Sequence, residues 1–287
     1  MDLTAFAAEV GGEGPVTIAG SRTRRGPVAG VRVVGAPAGV ELVEPAEMIV
    51  SCGAGTTVAE LDDALAPHGQ CVAISPPGTV GGALATGRSG IRRLGYGPVR
   101  DAVLQIRYVS AAGEVVKAGG PTVKNVSGFD LCRLLVGSYG TLGFMGDVIL
   151  RTRPRPRYEQ WFAGRVDPDV VMAELYRPTS ALWDGETMWV LLEGDRRDVA
   201  EQVGGLSLHA VDGPPVLPSG GRWSIEPGRF RSLRGRFVVE LGVGVVHHED
   251  PVLARPVDPV IRQLHGRIKH GFDPRGRLNP GLDVLAL

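Results

Sequence analysis

Lysine, cysteine and long apolar runs are what this sequence has least of. Only Lys117, Lys124 and Lys269 are lysines; the other basic residues are arginines. Basic and acidic residues balance at 31 each, so no global field draws the chain to nucleic acid or to an anionic membrane. The three cysteines, Cys52, Cys71 and Cys132, form no CxxC pair. That spacing argues against zinc or iron–sulfur ligation within the chain, and no metal is expected. An odd, sparse count also fits a reducing compartment. No apolar run approaches the ~20 residues that span a bilayer. The opening MDLTAFAAEVGGEG lacks the basic-then-apolar order of a secretory leader. These absences predict a soluble, cytoplasmic protein with no transmembrane segment.

Glycine is abundant, and it is concentrated. Between Pro76 and Gly146 lie PPGTVGGALATGRSGIRRLGYGPVRD and GGPTVKNVSGFDLCRLLVGSYGTLGFMG, separated by the strand-like AVLQIRYVSAAGEVVKA. Glycine costs roughly 0.5–1 kcal/mol relative to alanine inside regular structure, so this density asks for a reason. Backbone that approaches a large ligand is such a reason, and the region reads as a cofactor cradle. No GxGxxG follows a strand here, which disfavours a nicotinamide-binding domain, and HExxH, Walker A and Ser–His–Asp patterns are absent.

Short β-branched runs (VTIAG, VRVVG, VELVE, MIVSC) read as strands before TTVAELDDALAPHG. There Thr57 and Glu60 have capping-box spacing, and Val58, Leu61 and Leu65 form a helical stripe. Ser127 and Asp130 repeat the capping spacing before LCRLL, and Ala112-Gly113 marks a hairpin turn. Beyond Arg157 the composition changes, and all four tryptophans fall in 158–234. Strands WFAGRV and TMWVLLEG alternate with helices DPDVVMAELYRP and RRDVAEQVGG, which suggests a small α/β domain. GRFVVELGVGVVHH reads as one strand, and DPVIRQLHGRIKHGF as a helix opened by Pro259. The expected fold class is α+β, with domains at 1–155 and 156–235 and a C-terminal segment, 236–287, returning to the first.

The motifs PGTVGGALATGRSGIRRLGYGPVRD, VKNVSGFDLCRLLVGSYGTLG and FDPRGRLNPG, in that order, resemble the FAD-binding fold of the vanillyl-alcohol oxidase / p-cresol methylhydroxylase superfamily. Within it they are most similar to the FAD-binding subunits of glycolate oxidase. The resemblance implies two subdomains clasping FAD, with a separate cap domain. By that similarity Gly20, Ser21, Arg22, Thr23 and Arg24 wrap the pyrophosphate. Pro77, Gly78, Thr79, Val80, Gly81, Gly82, Thr86 and Gly90 line the flavin and ribityl side. Gly140, Thr141, Leu142 and Gly143 approach the adenine half, and Asn279 reaches the isoalloxazine edge. The first loop is poorer in glycine than the family's, so Arg22 or Arg24 becomes available for a phosphate contact. It holds no histidine, so non-covalent FAD is expected. Phe129 stands where the family has tyrosine.

The implied activity is oxidation of a small-molecule 2-hydroxy acid of the glycolate or D-lactate type. A non-catalytic or electron-relay subunit is the alternative, since the resembling subunit works beside a second flavoprotein and an iron–sulfur protein. Catalytic candidates each have a plainer reading. Lys124, beside Asn125, is either a cation near the flavin or part of a turn. Asp101 is either a flavin contact or a turn residue. His247 and His248 end a strand; they are either a proton acceptor or structural, and the family's fuller histidine–glycine–aspartate pattern is missing.

Overall fold

The computed structural model describes residues 1–24, 26–121, 130–226, 228–252 and 256–286. The chain divides into two compact units. The first holds Met1–Ser89, Pro98–Pro154 and Arg255–Leu287; the second holds Gly90–Gly97 and Arg155–Ala254.

The first unit opens with helix α1 (Thr4–Val10) and strands β1 (Val16–Ile18), β2 (Arg32–Val34), β3 (Val40–Glu44) and β4 (Ile49–Gly53). Helix α2 (Val58–Leu65), strand β5 (Gln70–Cys71) and helix α3 (Val80–Thr86) follow. Helix α4 (Arg93–Tyr96) belongs to the second unit. Strands β6 (Val103–Val109) and β7 (Val115–Gly119), helix α5 (Leu131–Leu135), and strands β8 (Phe144–Arg151) and β9 (Arg153–Pro154) continue the first. Its main sheet has the order β3-β4-β8-β6-β7, all neighbours antiparallel, while β1 and β2 form a separate parallel pair.

Local chemistry explains the elements that position the site. The Thr57 hydroxyl accepts from the Glu60 N–H at 3.1 Å, and the Glu60 carboxylate accepts from the Thr57 N–H at 2.8 Å, so the capping box forms. Two orphan helix donors are thereby satisfied. Val58, Leu61 and Leu65 are buried beneath α2, each contributing about 1.5–3 kcal/mol. The hairpin turns at Gly113, φ +81°. Asp130 alone caps α5, its carboxylate accepting from the Arg133 N–H at 3.0 Å; the Ser127 half of that expected box, with Lys124, Asn125 and Phe129, lies outside the described residues.

The second unit contains β10 (Tyr158–Gly164), α6 (Pro168–Glu174), β11 (Ser180–Trp183), β12 (Met188–Gly194), α7 (Arg196–Val203), β13 (His209–Val211), β14 (Gly221–Ser224), β15 (Phe237–Glu240) and β16 (Val245–His248). Helices alternate with strands in sequence, yet the seven strands pair antiparallel throughout, in the order β13-β10-β12-β11-β15-β16-β14. Val171 of α6 and Val199 of α7 pack on Phe162, Val190, Leu192 and Val239 on one face. Trp161, Leu182, Leu191 and Val238 cluster together separately.

Two sequence expectations change here. GRFVVELGVGVVHH is a hairpin, β15 and β16, because Gly242 and Gly244 take φ values of +72° and +71° and reverse the chain. Both strands complete the second unit's sheet, so the chain returns to the first unit at residue 255 rather than 236.

Helix α8 (Pro259–Phe272) and the terminal segment then rejoin the first unit. Asp273 organises that return. Its carboxylate accepts from Lys269 Nζ (2.6 Å), the Leu278 N–H (2.8 Å) and the Arg277 N–H (3.0 Å). Burial pushes its pKa upward, but those donors outweigh it and hold the group below its ordinary 3.8. A depressed carboxylate stabilises the fold above that ordinary value and loses its contribution as pH falls through the folded one. Acid titration of the wild type should therefore show stability falling from about pH 4 downward. Asp273→Asn should be less stable at neutral pH and flatter below it, as followed by circular dichroism. Equal acid dependence in both proteins would remove Asp273 from this role.

Candidate cofactor-binding site

A cleft in the first unit is rich in glycine, alanine and threonine, with a few larger side chains among them. Thr17 and Ile18 of β1 lead into Ala19–Arg24, which form one wall. Thr79, Gly81, Gly82, Ala85 and Thr86 of α3 and its cap form a second, and Tyr139, Gly140, Gly143 and Phe144 a third.

Backbone hydrogen bonds lock these walls together. The Gly81 N–H donates to Ala54 O (2.7 Å), Val80 N–H to Thr56 O (2.9 Å) and Val58 N–H to Gly78 O (2.9 Å). At the other end of α3, the N–H groups of Gly137 and Tyr139 donate to Leu84 O (2.9 Å) and Ala85 O (2.8 Å). The Thr79 hydroxyl caps α3 by accepting from the Gly82 N–H at 3.1 Å. Gly81 is glycine because α3 meets the end of β4 closely: a Cβ there would lie 2.8 Å from Ala54 O. Something must shift when that atom is backbone. Gly81→Ala should therefore lower the melting temperature by several degrees, at about 1–3 kcal/mol, and weaken cofactor retention. A variant as stable as wild type in a thermal melt would contradict the close approach.

Asn279 closes the cleft from the C-terminal segment. It sits at φ +45° and is 6% exposed. Its side-chain oxygen accepts from the Thr17 hydroxyl (2.7 Å) and the Ile18 N–H (3.3 Å), and Nδ2 donates to Tyr139 O (2.7 Å). Asn279 thus ties β1 to the Tyr139 loop, and its carboxamide is largely committed to protein. Beneath it, Arg277 is 4% exposed and reaches five carbonyls: Val10, Gly11, Glu13, Gly14 and Ala111. Its charge is disfavoured chiefly by burial.

The structure brings together Gly20, Ser21, Arg22, Thr23, Arg24, Thr79, Gly81, Gly82, Thr86, Gly140, Gly143 and Asn279. Pro77, Gly78, Val80, Gly90, Asp101, Thr141 and Leu142 do not line that cleft. Val80 is fully buried in the core, and Gly90 belongs to the second unit. Asp101 is exposed and pairs with Arg100 and Arg133, at 3.8 and 3.5 Å. Thr141 and Leu142 border a separate cavity beside α8, where the Thr141 carbonyl accepts from Lys269 Nζ at 2.7 Å. Lys124 lies outside the described residues.

In the second unit, the two candidate histidines part company. His248 Nε2 meets Arg234 O at 2.7 Å, Nδ1 accepts from the Asp250 N–H at 2.9 Å, and the ring packs on Trp223. Both of its nitrogens are occupied. His247 Nε2 is 2.8 Å from Glu240 Oε1, and Arg222 approaches the same oxygen at 3.7 Å. Glu240 is 2% exposed, and its second oxygen is buried without a partner among the described residues. A carboxylate on Nε2 fixes that nitrogen as the donor and leaves Nδ1 as an acceptor. Glu240 had no sequence signal beyond one acid in an apolar strand.

Comparison with known proteins gives much of the first unit a family likeness. Residues 14–119 match the family described as FAD binding domain. That stretch is similar to an FAD-binding domain. The chain is 34% identical over 173 residues to glycolate oxidase subunit GlcE of Escherichia coli, covering 56% of this chain and 49% of that protein. It is 42% identical over 118 residues to a D-lactate dehydrogenase of Archaeoglobus fulgidus (40% and 27% covered). It is 30% identical over 145 residues to glycolate oxidase subunit GlcD of Bacillus subtilis (47% and 31%). The chain thus spans about half the length of these relatives or less. An alkyldihydroxyacetonephosphate synthase structure superposes with a TM-score of 0.69 at 14% identity, over 97% of this chain and 73% of that one. That likeness concerns the fold alone, which is of the FAD-binding p-cresol methylhydroxylase type. The cleft suits a dinucleotide on its own terms: glycines on each wall, and a guanidinium nitrogen, Arg24 Nη1, left without an acceptor among the described residues.

Proposed function

We propose that this chain is an FAD-dependent oxidoreductase acting on a 2-hydroxy acid such as glycolate or D-lactate, holding FAD non-covalently in the first unit's cleft. The observation that carries this reading is the cleft itself, built from the residues of an FAD-binding domain in a relative of glycolate oxidase subunits. Bound FAD supplies the acceptor for the substrate's carbon-bound hydride. Gly20, Thr79, Gly81 and Gly82 keep the walls bare and rigid, and Asn279 holds the cleft's closing edge. Among the described residues, His247 is the proton-acceptor candidate whose second ring nitrogen, Nδ1, has no hydrogen bond, while Glu240 holds Nε2.

Two relatives are described as subunits, which supports a multi-subunit assembly; the partners we propose are a second flavoprotein and an iron–sulfur protein that take the electrons. We place any cluster on a partner, since the three cysteines form no CxxC pair; burial pushes the Cys52 thiol up to about 12. Among those residues no helix is long and apolar enough to cross a membrane; a cytoplasmic location accords with the sparse cysteines. The test is anaerobic mixing of the flavin-loaded protein with glycolate, D-lactate and longer 2-hydroxy acids. Bleaching of the flavin band by one of them supports oxidation by this chain. A loaded protein that no 2-hydroxy acid bleaches, alone or with its gene neighbours' products, would end the substrate assignment.

A further inference from the structure

The separate cavity beside α8 has a volume of about 610 Å³, within the range of small-molecule pockets. It lies between α8, the loop after α5 and the terminal segment. Leu134, Val136, Leu142, Ile268 and Leu282 give it apolar walls, each buried or half-buried. Ser138 lines it as well. That residue is 5% exposed, and its hydroxyl is buried without a hydrogen-bond partner among the described residues. Its backbone, by contrast, is fully used: the N–H donates to Leu135 O at 3.2 Å, and the carbonyl accepts from the Thr141 hydroxyl at 2.7 Å. A buried hydroxyl left unpaired is costly, so the cavity holds a polar donor that the fold itself does not satisfy.

The lining is also cationic. Arg133 and Arg262 are exposed at its border, and Asp283 is the sole acid among the described lining residues. Arg262 meets Asp283 at 3.0 Å, and Arg133 meets Asp130 and Asp101 at 3.2 and 3.5 Å. Exposed pairs of this kind hold their partners weakly, so either guanidinium can turn to a ligand. Lys269 lines the cavity too, but Thr141 O, Leu278 O and the Asp273 carboxylate take its three donors. Its role is structural.

We propose that this cavity binds an amphipathic carboxylate, its apolar body against the leucine, valine and isoleucine walls. The carboxylate accepts from the Ser138 hydroxyl and is favoured by the arginines of the border. Asn279 and Leu282 line both this cavity and the cofactor cleft, so the two compartments are neighbours but distinct.

The experiment titrates dodecanoate, below its micellar concentration, into FAD-saturated protein in a calorimeter. One site is expected, filled without release of flavin, and dodecyltrimethylammonium should bind at least tenfold more weakly. Ser138→Ala should weaken dodecanoate about two- to tenfold, the loss of one hydrogen bond. Arg133→Glu combined with Arg262→Glu should weaken it about tenfold or more and narrow the preference over the ammonium. Ile268→Trp should fill the cavity and abolish binding. Circular dichroism checks folding; the double arginine variant changes only exposed side chains and stays decisive if Ile268→Trp does not fold. No binding of dodecanoate, equal binding of both amphiphiles, or release of flavin by dodecanoate would each overturn the proposal. Unchanged affinity in the folded arginine variant would do the same. The cofactor reading is untouched by any of these, and a chain that takes no FAD still permits the same titration.

Discussion

Arg277→Met is expected to destabilise the first unit by about 3 kcal/mol or more, making it the most damaging single change outside the apolar core. All five donors of the guanidinium are used, on carbonyls from the end of α1, the loop after it and the turn between β6 and β7. Val10 and Ala111 are buried, so their oxygens gain no water when the arginine goes. Each buried acceptor left unpaired costs about 1–3 kcal/mol, and the carbonyls nearer solvent cost less. Arg277→Lys keeps the charge but has three donors from one point, so it can recover only part. Thermal and urea unfolding measure this. For a unit this size 3 kcal/mol is roughly 6–12 °C in the melting temperature. A loss below about 1 kcal/mol, within the range of an ordinary surface change, would show that these bonds do not hold the terminal segment in place.

The largest functional effect is expected at His247. Under the proposed oxidation, His247→Asn should slow substrate-dependent flavin reduction by about 10²–10⁴-fold, the usual worth of a positioned general base. FAD binding should be untouched, because this ring is not among the residues that line the cleft. Glu240→Gln should be milder, about tenfold or more, since the amide still occupies Nε2 but no longer fixes its tautomer. His248→Asn should affect stability more than rate, because both ring nitrogens and the Trp223 contact are structural. Stopped-flow reduction under anaerobic conditions separates these. Full-speed reduction in a folded His247→Asn protein would dismiss this histidine as the acceptor.

What could be read in the sequence follows how local its cause is. The Thr57–Glu60 box and the Ala112-Gly113 turn state their geometry within a few residues, and each takes its expected place; Gly81 and Gly82 line the first unit's cleft. The resemblance pointed to Asn279 and the Gly20–Arg24 loop, and all of them line the first unit's cleft. Arg277 was not, because its partners lie up to 267 positions away and the local FDPRGRLNPG reads only as a loop. Glu240 sat in an apolar run, where nothing local announces a buried carboxylate bonded across a hairpin to His247. That hairpin was itself hidden, because VELGVGVV alternates no differently on either side of its turn. The missed turn also displaced the domain boundary, since it sent two strands to the wrong unit.

The central claim, that the first unit's cleft holds FAD without a covalent bond, is tested most directly by the visible spectrum of the purified protein before and after acid precipitation. The account predicts a flavin spectrum, from the protein as isolated or reconstituted with FAD, and colour released wholly to the supernatant. Colour retained in the pellet would contradict the non-covalent assignment. A protein that stays colourless after incubation with FAD would contradict the claim itself.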